Sequence, residues 1–387
     1  MLVNECLTAS QISKNKFQKH YIFYFIMCNC LKPIQGWYCG FIVSKDGVYS
    51  PNLTFSFNEA REYHNKHFGE CSLKTLERNS VSIPCGKCFA CRLRKRKEMT
   101  TRLSNELSLY GEDCCFITLT YNDESIPTTS LHSIKDSNKM VERGIGSLPV
   151  ETLLPSDVQK FIKRLRRHLE YIPKSPKKRI GRDSVNHSIR YFAVGEYGSN
   201  TARPHYHLLI FGWKPSDLSC FSQRKGNIVY TSKQIQKLWT FGFSTVQPCG
   251  YGVSRYCARY VTKKFVNDSK ERVEPFKDSY FPEFVLQSIK NGGIGAPWFD
   301  KHFEEIISRG YVNYRQGTNF VKASIPSYYL RRLRKTHLCA WLQLREEKIT
   351  FLKNYKKDSS YKDFEELERK CLCESYKLQE QYSADLF

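Results

Sequence analysis

The alternation of apolar and polar positions divides the chain into short strands and a few amphipathic helices. The sharpest case is "RPHYHLLIFGW", Arg203–Trp213. On an extended chain successive side chains change face, so His205 and His207 share one face while Tyr206, Leu208 and Ile210 share the other. "SIRYFAVGEYG" (Ser188–Gly198) comes just before it, and the short "SNTA" connection predicts an antiparallel hairpin. "CCFITLTYND" (Cys114–Asp123) reads as a third strand, aromatic and β-branched, stopped by Asn-Asp. "GWYCGFIVSKDGVYS" predicts a further hairpin around its Asp-Gly pair.

The helical period appears in "PSDVQKFIKRLRRHLEYI". There Ser156 or Asp157 can cap the start, and Val158, Phe161, Ile162, Leu165 and Leu169 form one apolar stripe. Lys160, Lys163, Arg164, Arg166 and Arg167 cover much of the remaining surface. "GVSRYCARYVTKKF" (Gly252–Phe265) predicts a second helix, with Tyr256 and Tyr260 on one face and Lys263 beside them. Val253, Cys257, Val261 and Phe265 fall on another side and can pack inward. A basic helix starts in "PCGKCFACRLRKRKEM" and ends near Gly111; another helix is expected over 231–240, before a strand in "FSTVQP". Residues 122–154 read as a long polar connection, 266–335 as mixed, and the tail from about 336 as charged and helix-prone.

From these elements we expect an α+β fold with a central antiparallel sheet of ferredoxin-like character and helices over one face. The chain divides into 1–26, which lacks the pattern of the rest and reads as an extension before Met27; a Cys-rich region with a basic helix, 27–110; a central domain, 111–268; and a C-terminal region, 269–387, mixed and then helical.

Charge changes this picture most. Lys and Arg number 61 and Asp and Glu 38, a net charge of +23, which makes a polyanion the natural partner: nucleic acid first, an anionic membrane surface second. The most apolar short run, Tyr21–Cys28, falls far short of the ~20 residues a span needs, so no membrane partner is expected. With 16 cysteines and no export signal, reduced thiols in a cytoplasm are expected, some of them on zinc. No G-x-x-x-x-G-K-[ST] phosphate loop is present, which argues against ATP-driven chemistry.

Three groups of residues carry candidate chemistry. Alone, a His-x-His strand is more often packing than a metal site. Glu196, on the preceding strand of the hairpin, changes that: two imidazoles and a carboxylate make a site for a divalent ion with open positions. Tyr256 and Tyr260 are either boundary residues of an amphipathic helix or phenolic nucleophiles, with Lys263 or Lys264 favouring the phenolate. Cys85, Cys88 and Cys91 are either buried thiols or zinc ligands, with Cys28 or Cys30 as the nearest fourth. Arg92, Arg94, Lys95 and Arg96 follow directly and suit DNA contact, as do Lys160, Lys163, Arg164, Arg167 and Arg203.

In this order the motifs resemble those of replication initiation proteins of Microviridae phages, most closely the gokushovirus type, within the HUH superfamily of rolling-circle nucleases. "FITLTY" looks like the family's first motif, "GEYG…RPHYHLLIFG" its metal motif, and "YCARYVTKK" its two-tyrosine motif. "MCNCLKP", "PCGKCFACR" and "GGIGAPW" resemble segments of the gokushovirus branch. The likeness spans Met27 to about Trp298 and fades beyond 300; Cys257 replaces a usual small β-branched residue.

The resemblance implies an HUH endonuclease domain that nicks single-stranded or extruded viral origin DNA, with Mg2+ or Mn2+ on Glu196, His205 and His207. A tyrosine becomes joined to the 5′ phosphate, a free 3′-OH primes host polymerase, and a second transfer closes the circle. A host helicase and a host bacterial cytoplasm follow. The rivals are a plasmid initiator or transposase with the same site, and a non-catalytic zinc-containing DNA-binding protein.

Overall fold

The computed structural model describes residues 34–347, apart from 44–48, 71, 74–75, 77–79, 87, 130–140, 147–149, 172–188, 199–200, 225–226, 264–280, 317–318 and 345. Among the described residues two compact units are present, one over 95–342, the other over 34–94 together with 343–347.

In the second unit, β1 (Ile34–Val43), β2 (Tyr49–Thr54), α1 (Phe57–Phe68) and β3 (Ser80–Ile83) follow in order. The strands form an antiparallel sheet, β2-β1-β3. The expected hairpin is β1–β2; its Asp-Gly turn lies outside the described residues. Ser56 caps α1 by accepting from the Glu59 N–H. Helix α2 (Phe89–Ser108) starts in this unit and continues into the other.

The larger unit holds β4 (Cys114–Thr120), β5 (Pro127–Thr129), β6 (Val141–Arg143), β7 (Val150–Glu151), α3 (Pro155–Tyr171), β8 (Arg190–Tyr197) and β9 (Pro204–Phe211). Then come β10 (Leu218–Arg224), β11 (Asn227–Ser232), α4 (Lys233–Leu238), β12 (Ser244–Pro248), α5 (Tyr251–Lys263) and β13 (Phe284–Gln287). It closes with α6 (Ala296–Arg309), β14 (Val312–Gln316), β15 (Asn319–Ala323) and α7 (Ser327–Thr336). Its main sheet has seven strands in the order β10-β11-β12-β4-β9-β8-β13, every neighbour antiparallel. The architecture is mixed helix and sheet, as the α+β expectation has it.

Helices cover both faces of this sheet, not one. On the first face Cys115, Ile117, Leu119, Ala193, Tyr206, Leu208 and Ile210 pack with Val158, Phe161, Ile162, Leu165 and Leu169 of α3. On the second, Cys114, Phe116, Phe192, Val194, Leu209 and Phe211 pack with Cys257 and Ala258 of α5 and Leu103 of α2. The central strands are apolar on both sides, so neither face can be left to water. Each large side chain buried there contributes ~1.5–3 kcal/mol over an exposed one.

Three other differences have local causes. The connection at 122–154 contains a small sheet, β6-β5-β7, whose strands of two or three residues are too short to show a period. The β10–β11 hairpin is rich in polar residues, and its second strand takes residues up to Ser232, so the helix expected over 231–240 shortens to α4. Finally, β13 joins the edge of the sheet from beyond residue 268 by pairing with β8. The segment before 34 and the tail beyond 347 lie outside the described residues. No described helix is long and apolar enough to cross a membrane.

Candidate active site

The site is built on the second face, where the registers of β4, β8 and β9 converge. Pairing sets Glu196 opposite His205 on the β8–β9 hairpin, while His207 lies opposite Thr118 of β4 and Val194 of β8. Alternation brings Glu196, His205, His207 and Thr118 to one side. The Nε2 atoms of both histidines lie 2.9 Å from the same Glu196 oxygen, Oε1. Glu196 is 4% exposed and His207 7%. The ligand atoms of the three residues all fall within 4.8 Å of one another, a grouping able to hold a metal ion.

The outer nitrogens explain how the rings are aimed. His205 Nδ1 lies 3.1 Å from the Arg203 carbonyl oxygen. A carbonyl only accepts, so Nδ1 carries the hydrogen. Nε2 then faces a carboxylate oxygen with its lone pair unless a second proton or a cation lies between them. His207 Nδ1 meets the Thr118 hydroxyl at 3.0 Å, and the Phe116 ring stacks on the imidazole, 5.4 Å between centroids and 10° between planes. These contacts are the usual second layer around a metal-binding histidine.

Helix α5 brings a phenol to this cluster. Cys257 and Ala258 are fully buried against the sheet, and the turn before them directs Tyr256 Oη to 3.2 Å from His207 Nε2 and 3.5 Å from Glu196 Oε1. The Tyr256 ring meets both His207 and Phe116 edge-on. Burial and the nearby Glu196 charge push the Cys257 thiol up, so it stays protonated beside the site. Tyr260 and Lys263 belong to α5, but their side chains, and all of Lys264, lie outside the described ones.

Tyr206, between the two histidines, faces the other way and has a different role. Its hydroxyl accepts from the Leu154 N–H at 2.8 Å and lies 2.7 Å from Tyr121 Oη, which donates to Asp157 at 2.6 Å. Arg143 completes the group with an ion pair to Asp157 at 2.8 Å. Burial raises the pKa of both phenols well above the ordinary tyrosine value, so both stay protonated and structural. Gly195, next to Glu196, is required by close approach: a Cβ there would lie 2.7 Å from the Phe284 ring.

The basic residues are distributed more widely than the sequence implies. Lys160, Lys163 and Arg167 are exposed on α3, which packs on the face of the sheet away from the histidines. Arg164 donates to the Leu238 carbonyl at 2.8 Å, and Arg203 to the Tyr121 carbonyl and to Asp123. Arg92, Arg94, Lys95 and Arg96 lie in the first turns of α2. Cys85, Cys88 and Cys91 converge, with sulfurs within 4.8 Å of one another, whereas Cys28 and Cys30 lie outside the described residues. No disulfide joins the described cysteines.

Thr118 and Phe116 are missed by sequence reasoning, although both lie in "FITLTY" at the spacing that faces the histidines. A second group gives "GGIGAPW" its place. Arg102 donates twice to the Ile294 carbonyl, Glu106 accepts from the Gly295 N–H at 2.6 Å, and Arg190 donates to the carbonyls of Lys290 and Gly293. Arg190 and Glu106 form a buried ion pair at 2.5 Å.

Comparison with known proteins agrees with this core. A family profile for replication-associated proteins of the ORF2 and gene-2-protein type matches residues 114–265, from β4 to just past α5. The chain is 29% identical over 316 residues to "Replication-associated protein VP4" of Bdellovibrio phage phiMH2K, covering 81% of this chain and 80% of that one. It is 28% identical over 292 residues to "Replication-associated protein ORF2" of Spiroplasma virus 4, covering 74% and 79%. With "Replication-associated protein ORF4" of Chlamydia phage 1 the identity is 28% over 253 residues, covering 59% and 54%. No solved structure matches the chain. The chain is thus similar to phage replication-associated proteins over most of its length, and to their family profile over the sheet and helix that carry the site.

Proposed function

We propose that the protein initiates rolling-circle replication as a nickase and strand-transferase of the HUH type. The observation that carries this reading is the convergence of Tyr256 Oη with Glu196, His205 and His207 on one sheet face. Two nitrogens and a carboxylate oxygen suit Mg2+ or Mn2+. A cation held by Glu196, His205 and His207 would stabilise the negative charge that develops at the scissile phosphate.

The chain's own residues do the rest. Tyr256 attacks phosphorus as the phenolate, its proton released to solvent; its Oη–P bond forms as the P–O3′ bond breaks, and the 3′ oxygen takes up a proton from solvent. The products are a 5′-phosphotyrosyl bond and a free 3′-OH, from which host polymerase extends while a host helicase opens the duplex. Tyr260, one helical turn on, makes the second attack at the regenerated origin. The released 3′-OH then attacks the first phosphotyrosine and closes the circle. Phosphodiester energy is kept in the covalent bond, consistent with the missing phosphate loop. Lys263 and Lys264 favour the phenolate form. The cysteine knuckle and the basic start of α2 serve DNA contact, and the reaction takes place in the host bacterial cytoplasm.

The test uses purified protein, labelled single-stranded origin DNA and Mn2+. A covalent adduct is expected, strongly reduced in Tyr256→Phe, absent in Tyr256→Phe/Tyr260→Phe, and absent in His205→Ala. An adduct that persists in the double tyrosine variant overturns the assignment. Full adduct formation by His205→Ala favours tyrosine chemistry that does not use a metal on these histidines, and no adduct from the native protein favours a non-catalytic DNA-binding protein.

A further inference from the structure

The cysteine knuckle lies outside the site just described and belongs to a different kind of chemistry. Cys85, Cys88 and Cys91 bring three sulfurs within 4.8 Å of one another. A tetrahedral ion with metal–sulfur bonds of ~2.3 Å holds its thiolates ~3.8 Å apart, so small side-chain adjustments suffice to close on one ion. An iron–sulfur cubane spreads its cysteines around a whole cluster, a wider spacing than this one.

The local backbone is shaped for the same purpose. Gly86 has φ +73°, a left-handed conformation that only glycine adopts freely, and it folds the chain back between the first two cysteines. As a result the Cys88 N–H points at Cys85 Sγ, at 3.2 Å. An amide aimed at sulfur stabilises a thiolate. Helix α2 starts at Phe89 and places Cys91 one turn on, its side chain buried; Cys85 and Cys88 are half-buried. Cysteines that serve only as small core hydrophobes need neither convergence nor an amide aimed at sulfur.

We propose that Cys85, Cys88 and Cys91 bind one structural Zn2+ as thiolates. The ion fixes the start of α2 and with it the run Arg92–Arg96. This inference does not rest on the nickase reading, and its measurement is separate.

The full chain is purified without chelator and its metal content measured. About one zinc per chain is expected in the native protein and in His205→Ala/His207→Ala, and none in Cys85→Ser/Cys88→Ser. Co2+ exchange should give the intense visible bands of a tetrahedral cobalt thiolate. If the cysteine variant does not fold, titrating native protein with a mercurial settles the matter: zinc should stay bound while the exposed Cys220 and Cys339 react and leave as further thiols are consumed, and zinc retained after all thiols have reacted overturns the proposal. Zinc lost with the histidines but kept without the cysteines overturns the proposal. So does iron with acid-labile sulfide, a disulfide among the three cysteines found by mass, or native protein holding no zinc.

Discussion

A single hydroxyl separates a loose histidine from an aimed one at this site. Thr118 Oγ1 meets His207 Nδ1 at 3.0 Å, from the strand that pairs directly with β9. Outer contacts of this type tune metal affinity by about 10- to 100-fold. Thr118→Val keeps the shape and removes the polar contact, so Mn2+ should bind about 10-fold more weakly, while Thr118→Ser restores binding. Calorimetric titration of Mn2+ checks this, and unchanged affinity in Thr118→Val would show that Phe116 alone holds the ring. The tyrosines of β9 and α5 teach a related point. Tyr206 and Tyr256 are chemically alike, yet one is locked as a buried phenol by its network with Tyr121 and the other lies 3.2 Å from His207.

At the scale of elements, the sheet is held to its surroundings by buried polar clamps as much as by apolar packing. Glu106 of α2 accepts from the Gly295 N–H and pairs with Arg190 of β8. Burial raises the Glu106 carboxyl pKa, against the pull of the Arg190 charge and the Gly295 N–H. Glu106→Ala leaves Arg190 buried without its counter-charge, an uncompensated loss of ~3–5 kcal/mol. Glu106→Gln can still accept from Gly295 and should cost less. Urea unfolding of the two variants checks the order; equal midpoints for native and Glu106→Ala would show that the pair contributes nothing. The clamp also explains why "GGIGAPW" reads as a coherent segment: its carbonyls and N–H groups are used by α2 and β8. In sequence it is only glycine-rich, since its partners lie 189 residues earlier on α2 and 103 residues earlier on β8.

For the whole molecule, a net charge of +23 favours any nucleic acid. Lys160, Lys163 and Arg167 lie on α3, across the sheet from the triad. If long single strands wrap onto α3, replacing all three with Gln should lower the salt slope of binding to a long strand by about 2. Adduct formation on a short origin oligonucleotide should be unchanged. Fluorescence anisotropy over a salt series measures the first, and an identical slope would remove α3 from the DNA path.

Much of the site was legible because strand periodicity is local. His205 and His207 share a face by alternation alone, and Glu196 needs only a hairpin with the right register, which the structure has. The stripe of α3 and the inward position of Cys257 follow from helical spacing in the same way. Less was legible wherever a contact joins distant segments. The sequence by itself determined which residues share a strand face or a helix face, because backbone geometry ties spacing to direction. Only the tertiary structure decided that both sheet faces are covered, that Thr118 and Phe116 hold the His207 ring, and that the face beneath α5 is the one carrying the histidines. Those outcomes depend on strand order and on burial of two apolar faces at once, and no stretch of sequence encodes them alone.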